Sequence, residues 1–459
     1  MSFQKIGLMG LVVFGAVAAV TACGSTTIRR TFEDPDSALP DTTDAQGTTD
    51  GPSLLDPDAA SAGKCPEGSE TRITGKVFDP AGKNPLYNIQ VFVPSGPLSE
   101  IKDGLPAPDG NGFCRGQTCD TEVLNPIVAG LTNTKGEFEL KGPKLFPGKD
   151  VPLVMQIGKW RRKIVIPEIK GCENNKLDVK DTRLPKNGTE GDMPQIVLTS
   201  GGCDALECLL AGIGIDSSEF EAGFVDPKKH IHIYRGSGGG TTVNGQAVPI
   251  ADDMWRSAEN MRKYDIAMLS CECGENNQNK PAALDTMRNF ANAGGRVFAT
   301  HFHYTWMKNN ASWGTGIVDF SSSGTGANPY AVNTGFPKGQ ALADWLVEIG
   351  ASSTNGQVDL PSGNVTNSQR GLAGGSAAQE WIGKGTSAKY FSFNTPYKAP
   401  VSDQCGRFVF SDVHSAGTGG GAFPSGCSAL NKSQLVLEYM FFDLSSCVQD
   451  ETKPPEPPK

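Results

Sequence analysis

Between Thr71 and Phe78 polar and apolar residues alternate, the period-2 signature of a strand with one buried face. Asp79-Pro80-Ala81-Gly82 has turn chemistry, Asn88–Pro94 alternates again, and Asn133–Leu140 is a turn running into a strand. Val151–Gln156 and Lys163–Pro167 complete a set of short strands with Gly/Pro turns, which predicts a β-sandwich over residues 65–190. From about Met193 the period changes. Gln195–Thr199 reads as a buried strand, followed by a Ser200-Gly201-Gly202 loop and a helix that Asp204 caps and that reaches about Ile215. Lys229–Tyr234, Tyr264–Ser270, Arg296–Thr300 and Arg407–Ser411 read as strands. Asp253–Lys263, Pro281–Ala293, Gly339–Ile349 and Ser433–Leu444 read as helices. This alternation predicts a mostly parallel sheet over residues 191–447. The predicted fold class is therefore multi-domain, a β-sandwich followed by an α/β flavodoxin-like parallel sheet.

The N-terminal pattern is of another kind. Ile6–Val20 is an unbroken run of apolar and small residues behind Lys5. It is shorter than the roughly 20 residues a membrane span needs and fits the apolar region of a signal peptide, residues 1–22. It ends in Val20-Thr21-Ala22-Cys23, which resembles the lipobox of bacterial lipoproteins, with Cys23 the residue that receives lipid. Two or more acyl chains, palmitate among them, anchor a protein stably. Gly24 after the cysteine resembles an outer-membrane address in Gram-negative bacteria, so the expected location is the cell envelope, lipid-anchored in the outer membrane of a Gram-negative bacterium. Residues 23–64 are rich in Thr, Asp, Ser and Pro and predict a disordered tether. Residues 448–459, with Pro454-Pro455-Glu456-Pro457-Pro458, predict a disordered tail.

Composition adds two constraints. A net charge of −9 over 459 residues argues against a nucleic-acid partner. Twelve cysteines in an exported chain point to disulfides, and eleven remain after the anchor, which leaves one odd. Cys114 and Cys119 could staple a loop insertion within the sandwich. In a flavodoxin-like order Cys203 and Cys208 come near Cys271 and Cys273, and the expected bridges are Cys203–Cys273 and Cys208–Cys271. Cys405 is expected with Cys427, so that the odd residue falls among Cys405, Cys427 and Cys447.

Two resemblances sharpen this reading. The order "TGKVFDPAGKNPLYNIQVFVP … TNTKGEFEL" resembles the carboxypeptidase regulatory-like (transthyretin-like) β-sandwich, a module that binds or spaces. "YDIAMLSCECGE", "ALDTMRNFANAGGRVFATHFHY" and "CGRFVFSDVHSAG" together resemble the class I glutamine amidotransferase-like fold, nearest its ThuA-like branch, over about residues 193–447. The amidase nucleophile does not carry over. The amidotransferase pattern is Gly-x-Cys-x-Gly, whereas this chain reads Ser270-Cys271-Glu272-Cys273-Gly274.

Ligands of parallel sheets bind beyond the carboxyl ends of the strands. The candidate groups there are Ser200, Glu272, His301, His303, Asp412 and His414. Histidine and carboxylate are zinc ligands, so His301, His303, Asp412 and His414 form a candidate metal set, although no cofactor is predicted. His301 and His303 can both contribute only if the chain turns between them. His230 and His232 share one strand face and read as packing or edge residues. Lys159–Lys163 reads as a solvated basic face, and Tyr304, Trp306 and Trp313 as loop core or as sugar-stacking aromatics. The leading expectation is a non-catalytic, ligand-binding α/β domain, with carbohydrate as ligand, on a sandwich spacer. The alternatives are an exported hydrolase using a His/Asp site, and a structural envelope or adhesion protein.

Cys23→Ala should abolish lipid labelling and move the protein from the membrane to the soluble fraction. Retention on membranes after a high-salt wash would contradict the anchor.

Overall fold

The computed structural model describes residues 65–106, 125–320, 328–360, 371–383, 388–415, 423–427 and 429–457. Residues 1–64, where a signal peptide, the lipidated Cys23 and a tether are expected, lie outside the described residues, as do Cys114 and Cys119. No described helix is long and apolar enough to cross a membrane.

The first part of the chain forms two small sheets. Strands β1 (Arg72–Lys76), β4 (Glu137–Lys141) and β7 (Asn174–Lys176) make one, in the order β4-β1-β7. Strands β2 (Gln90–Val93), β3 (Val128–Leu131), β5 (Gly148–Ile157) and β6 (Trp160–Ile169) make the other, antiparallel throughout, in the order β3-β2-β5-β6. Alternation decides which side faces inward. In β4, Phe138 and Leu140 are buried while Glu137, Glu139 and Lys141 are exposed, and Glu137 and Glu139 pair with Lys76 and Arg72 across β1. Cys65 and Cys172 form a disulfide that closes this part.

The remainder is built on a sheet of eight strands: β8 (Ile196–Ser200), β9 (Phe220–Ala222), β10 (Ile231–Arg235), β11 (Ile266–Leu269), β12 (Arg296–Thr300), β13 (Gln379–Ile382), β14 (Tyr390–Thr395) and β15 (Gly406–Ser411). Their order is β13-β14-β15-β12-β11-β8-β10-β9. The strands from β9 to β15 along this order pair in parallel, and β14 and β13 add an antiparallel edge. Taken alone, β10-β8-β11-β12-β15 runs 2-1-3-4-5 in chain order, a doubly wound arrangement. The order reverses at β8, with β10 on one side and β11 on the other, the topological switch point beside which doubly wound sheets bind their ligands.

Side-chain parity sorts the sheet's two faces. Ile196, Leu198, Ile266, Met268, Phe298 and Val409 point to one core, and Val197, Ala267, Leu269, Val297, Ala299, Phe408 and Phe410 to the other. Helices α1 (Leu206–Gly212), α3 (Pro337–Glu348) and α4 (Lys432–Ser445) cover the first face, and α2 (Leu284–Asn292) the second. The first core also takes in Ile73, Val91, Leu153 and Trp160, so the N-terminal sheets and the α/β part share one apolar interior. Trp160 lies edge-on to Phe441 and Phe442 of α4, and Trp345 Nε1 of α3 donates to the Pro85 carbonyl at 2.6 Å. Gly158 turns the β5–β6 hairpin at φ +52°, and a Cβ there would collide with the Ser445 carbonyl at the end of α4.

Several expected boundaries move. The helix expected over 253–263 is two single turns, Asp252–Trp255 and Ala258–Met261; Ser257 interrupts it by capping the second turn through the Asn260 N–H. The edge hairpin β13–β14 is an addition that local pattern does not predict. The stretch from 448, expected as a disordered tail, is held at Glu451, which pairs with Arg407 and Lys338; both cations also reach Asp443, at 2.7 and 2.9 Å. The basic run is mostly consumed by structure. Lys159 pairs with Asp265 at 2.5 Å, Arg161 with Asp192 at 2.8 Å, and Arg162 donates to the Arg183 carbonyl.

Where the first sheet's turn meets α4, two carboxyls face each other in the interior. Asp79 and Glu438 are 1% and 0% exposed, and each has one oxygen with a donor: the Lys83 N–H for Asp79, Asn84 Nδ2 for Glu438. Burial pushes Asp79 up to about 6, and burial together with the Asp79 charge pushes Glu438 well above the usual carboxylate range. Both folded-state values lie above the unfolded ones. The stability this seam contributes is therefore complete below about pH 4 and is lost as pH rises through about 6. Glu438→Gln keeps an acceptor for Asn84 and removes one charge. It should stabilise the protein by about 1–3 kcal/mol at pH 8 and by little at pH 4.5. A melting-temperature difference from wild type that does not change with pH would contradict the shared burial of the pair.

Candidate functional site

Four adjacent parallel strands end on one rim, and each delivers a polar group there. After β8 the chain runs Gly201-Gly202-Cys203-Asp204 into α1. Gly201 lies so close to the Ser270 and Cys271 carbonyls that any side chain would collide with them. After β11 comes Ser270-Cys271, after β12 His301, and after β15 Asp412-Val413-His414.

Asp204 is fully buried and joins three of these ends. Its Oδ2 accepts from the Thr300 hydroxyl at 2.5 Å and lies 3.4 Å from the Cys271 N–H; its Oδ1 is 3.0 Å from His414 Nδ1. The Cys271 N–H also donates to Thr300 Oγ1 at 2.9 Å. Asp204 is thus not the cap of α1: Ala205 holds that position without a side-chain bond. His301 stands where β12 turns into a 3₁₀ turn, His301–Tyr304, at φ +39°. A non-glycine residue in the left-handed region costs roughly 1–2 kcal/mol and is held there only by its surroundings. The turn brings His301 Nδ1 to 3.4 Å from Cys271 Sγ, with its ring 4.7 Å from that of His414 at 79°. Donor atoms of Cys271, His301 and His414 all lie within 4.8 Å of one another, so these three residues could hold a metal ion.

Cys271 is fully buried and is the free cysteine among the described residues. Burial, and secondarily the Asp204 charge, push its thiol up to about 12. Burial, with the charges of His414 and Lys389, pushes His301 down to about 3. For His414, burial acts downward, but the Asp204 hydrogen bond and charge outweigh it and hold its pKa above the usual value. His301 is therefore neutral and too weak a base to take the proton from Cys271.

The other expected residues do not join this cluster. His303 is buried with both ring nitrogens engaged: Trp306 Nε1 donates to Nδ1 at 3.0 Å, so Nε2 carries the proton and donates to the Ser270 carbonyl at 2.8 Å. The turn expected between the histidines exists, but it sends His303 into the core. Asp412 is fully buried, 3.5 Å from Lys389 Nζ. Glu272 pairs with buried Lys280 at 2.5 Å and accepts the Ser237 N–H. Ser200 is buried, with its hydroxyl 3.4 Å from the Tyr234 carbonyl. His230 pairs with Glu219 at 2.6 Å at the amino end of β10, and His232 packs between Phe224 and Tyr264. Trp306 and Trp313 are buried core.

The cysteine pairing is partly as expected. Cys203–Cys273 forms at the rim, with a Cα separation of 5.2 Å. Cys208–Cys271 does not: Cys208 sits on α1 and bonds Cys427, with a Cα separation of 5.1 Å, while the Cys271 side chain turns toward His301. This excludes Cys405–Cys427 as well. Cys405 and Cys447 are each disulfide-bonded, so neither is the odd residue. Cys271 and Asp204 are the two members of the cluster to which the sequence alone assigns other roles, a disulfide and a helix cap. The one local signal for them is that each lies just beyond the carboxyl end of a strand.

No protein-family model matches the chain, and no curated protein matches it. Among solved structures, the chain is similar to a GMP synthase component from Thermoplasma acidophilum, at 7% identity and a TM-score of 0.31, covering 55% of this chain and 94% of that one.

Peptide mapping without reduction should recover Cys203–Cys273 and Cys208–Cys427, and a Cys271 that iodoacetamide labels only after unfolding. Recovery of Cys271 in a disulfide would contradict the site.

Proposed function

We propose that this protein is an envelope hydrolase, lipid-anchored through Cys23, with Cys271, His301, His414 and Asp204 as its reaction centre. Residues 23–64 set the folded part off the membrane, and the two N-terminal sheets, read as a regulatory-like β-sandwich, brace the α/β part through the core they share with it. One observation supports the reaction centre above all: a thiol, two imidazoles and a buried carboxylate from four adjacent strands converge beside the point where the strand order reverses. In open α/β sheets ligands bind beside that point. The left-handed backbone of His301 supports the same reading, because residues held in such conformations cluster at functional sites. In a hydrolase the cluster would activate water against a carbonyl or phosphoryl centre.

A second reading, carbohydrate binding without catalysis, draws on the rings of Phe302, Tyr304 and Phe320, which contact one another in series next to His301. Aromatic faces of this kind stack on sugar rings.

Initial rates with p-nitrophenyl acetate, p-nitrophenyl phosphate and p-nitrophenyl glucoside test the hydrolase reading. Full-length protein should hydrolyse at least one of them about 100-fold faster than Cys271→Ala and His414→Ala variants whose circular dichroism matches the wild type. Wild-type rates no higher than those of the variants on all three would overturn the hydrolase reading.

A further inference from the structure

We propose that Cys271, His301 and His414 bind one zinc ion, with Asp204 behind His414 as its orienting partner. The use of that ion to activate water rests on the hydrolase reading above; the binding itself does not.

The donor set is the first reason. One thiol and two imidazoles are borderline-soft ligands that suit zinc, whereas calcium and magnesium take oxygen ligands. Distance is the second. Zinc–sulfur and zinc–nitrogen bonds of about 2.3 and 2.0–2.1 Å in a tetrahedron put S and N about 3.6 Å apart and two nitrogens about 3.3 Å apart. Cys271 Sγ and His301 Nδ1 already stand at 3.4 Å, and no pair of donors exceeds 4.8 Å, so closure asks for about 1.5 Å at the widest edge.

The surroundings are the third reason. Metal-bound histidine commonly gives its other ring N–H to a carboxylate, which fixes the tautomer and the ring's orientation. His414 has such a carboxylate partner in the structure: Nδ1 lies 3.0 Å from Asp204 Oδ1, which leaves Nε2 as the nitrogen for an ion. Asp204 is itself fixed by Thr300, so the orienting carboxylate has little freedom to turn away. The neighbouring groups do not compete for the ion. His303 has both nitrogens engaged, Asp412 faces Lys389, and Glu272 faces Lys280. Three protein ligands from the described residues leave a fourth tetrahedral position for water, the arrangement of catalytic rather than structural zinc.

The test uses full-length protein stripped with a chelator and then titrated with zinc against a colorimetric competitor, or with cobalt(II) as a spectroscopic substitute. The wild type should take up one zinc per chain. Its cobalt form should show a thiolate-to-cobalt charge-transfer band in the near ultraviolet, a readout that needs no variant. Cys271→Ser should lose that band, His301→Ala and His414→Ala should weaken zinc binding at least about 100-fold, and Asp204→Asn about 10–100-fold. His230→Ala should leave binding unchanged. Zinc should raise the wild-type melting temperature and leave that of Cys271→Ser where it is. Uptake well below one zinc per chain, a cobalt spectrum without the charge-transfer band, or zinc binding indifferent to Cys271 and His414 would each overturn the proposal. Stoichiometric zinc with no hydrolysis of any substrate would keep the site and remove the hydrolase reading. Hydrolysis indifferent to chelation would keep the hydrolase reading and remove the ion's part in it, leaving the zinc site to stand or fall on the titration alone.

Discussion

A single buried carboxylate organises the rim. Asp204 leaves the end of β8 and meets the Thr300 hydroxyl from β12, the Cys271 N–H beyond β11 and the His414 imidazole beyond β15. A buried charge with no partner is costly, so these contacts hold one another in place. Removing any of them would leave Asp204 short of a donor and loosen three strand ends together. The left-handed turn at His301 depends on the same frame, since strain of that size persists only where the surroundings over-determine it.

Below the rim, the sheet is packed on both of its faces. Parity sends alternate residues of each central strand to opposite cores, and one of those cores continues into the N-terminal sheets. The first part of the chain is thus packed into the interior that supports the rim, as Trp160 against α4 and Trp345 against Pro85 show. Disulfides tie the loops around the cluster from outside: Cys203–Cys273 joins the segments beyond β8 and β11, and Cys208–Cys427 fastens α1. At the amino end of β15, Arg407 and Lys338 share Asp443 and Glu451 in the interior and hold the start of the final segment.

Much of this architecture is legible in local pattern, because burial on both faces writes itself as short apolar runs. Ile196–Thr199, Ile266–Leu269, Val297–Thr300 and Phe408–Phe410 are all legible for that reason. The edge strands β13 and β14 are not, since they add to the sheet antiparallel, outside the alternation of strand and helix that marks the rest. The site is legible in place and less so in membership. His301 and His414 follow from being polar groups at strand ends, whereas His303 and Asp412 share that signal and are engaged elsewhere. What separates them is partners that strand-end position does not reveal, Trp306 with Ser270 and Lys389. Cys271 and Cys273 are chemically alike in sequence. Only the turn of the chain after β11 aims one at His301 and the other at Cys203. Asp204 precedes a helix and so reads as its cap until the sheet brings His414 and Thr300 to it.

The convergence of one thiol and two imidazoles from three strands on a common point is the central claim, and X-ray absorption at the zinc edge of the metal-loaded protein measures it directly. The expected shell is one sulfur at about 2.3 Å and two imidazole nitrogens at about 2.0–2.1 Å, with a light oxygen or nitrogen atom completing it. A shell of oxygen and nitrogen alone, with no sulfur, would contradict it.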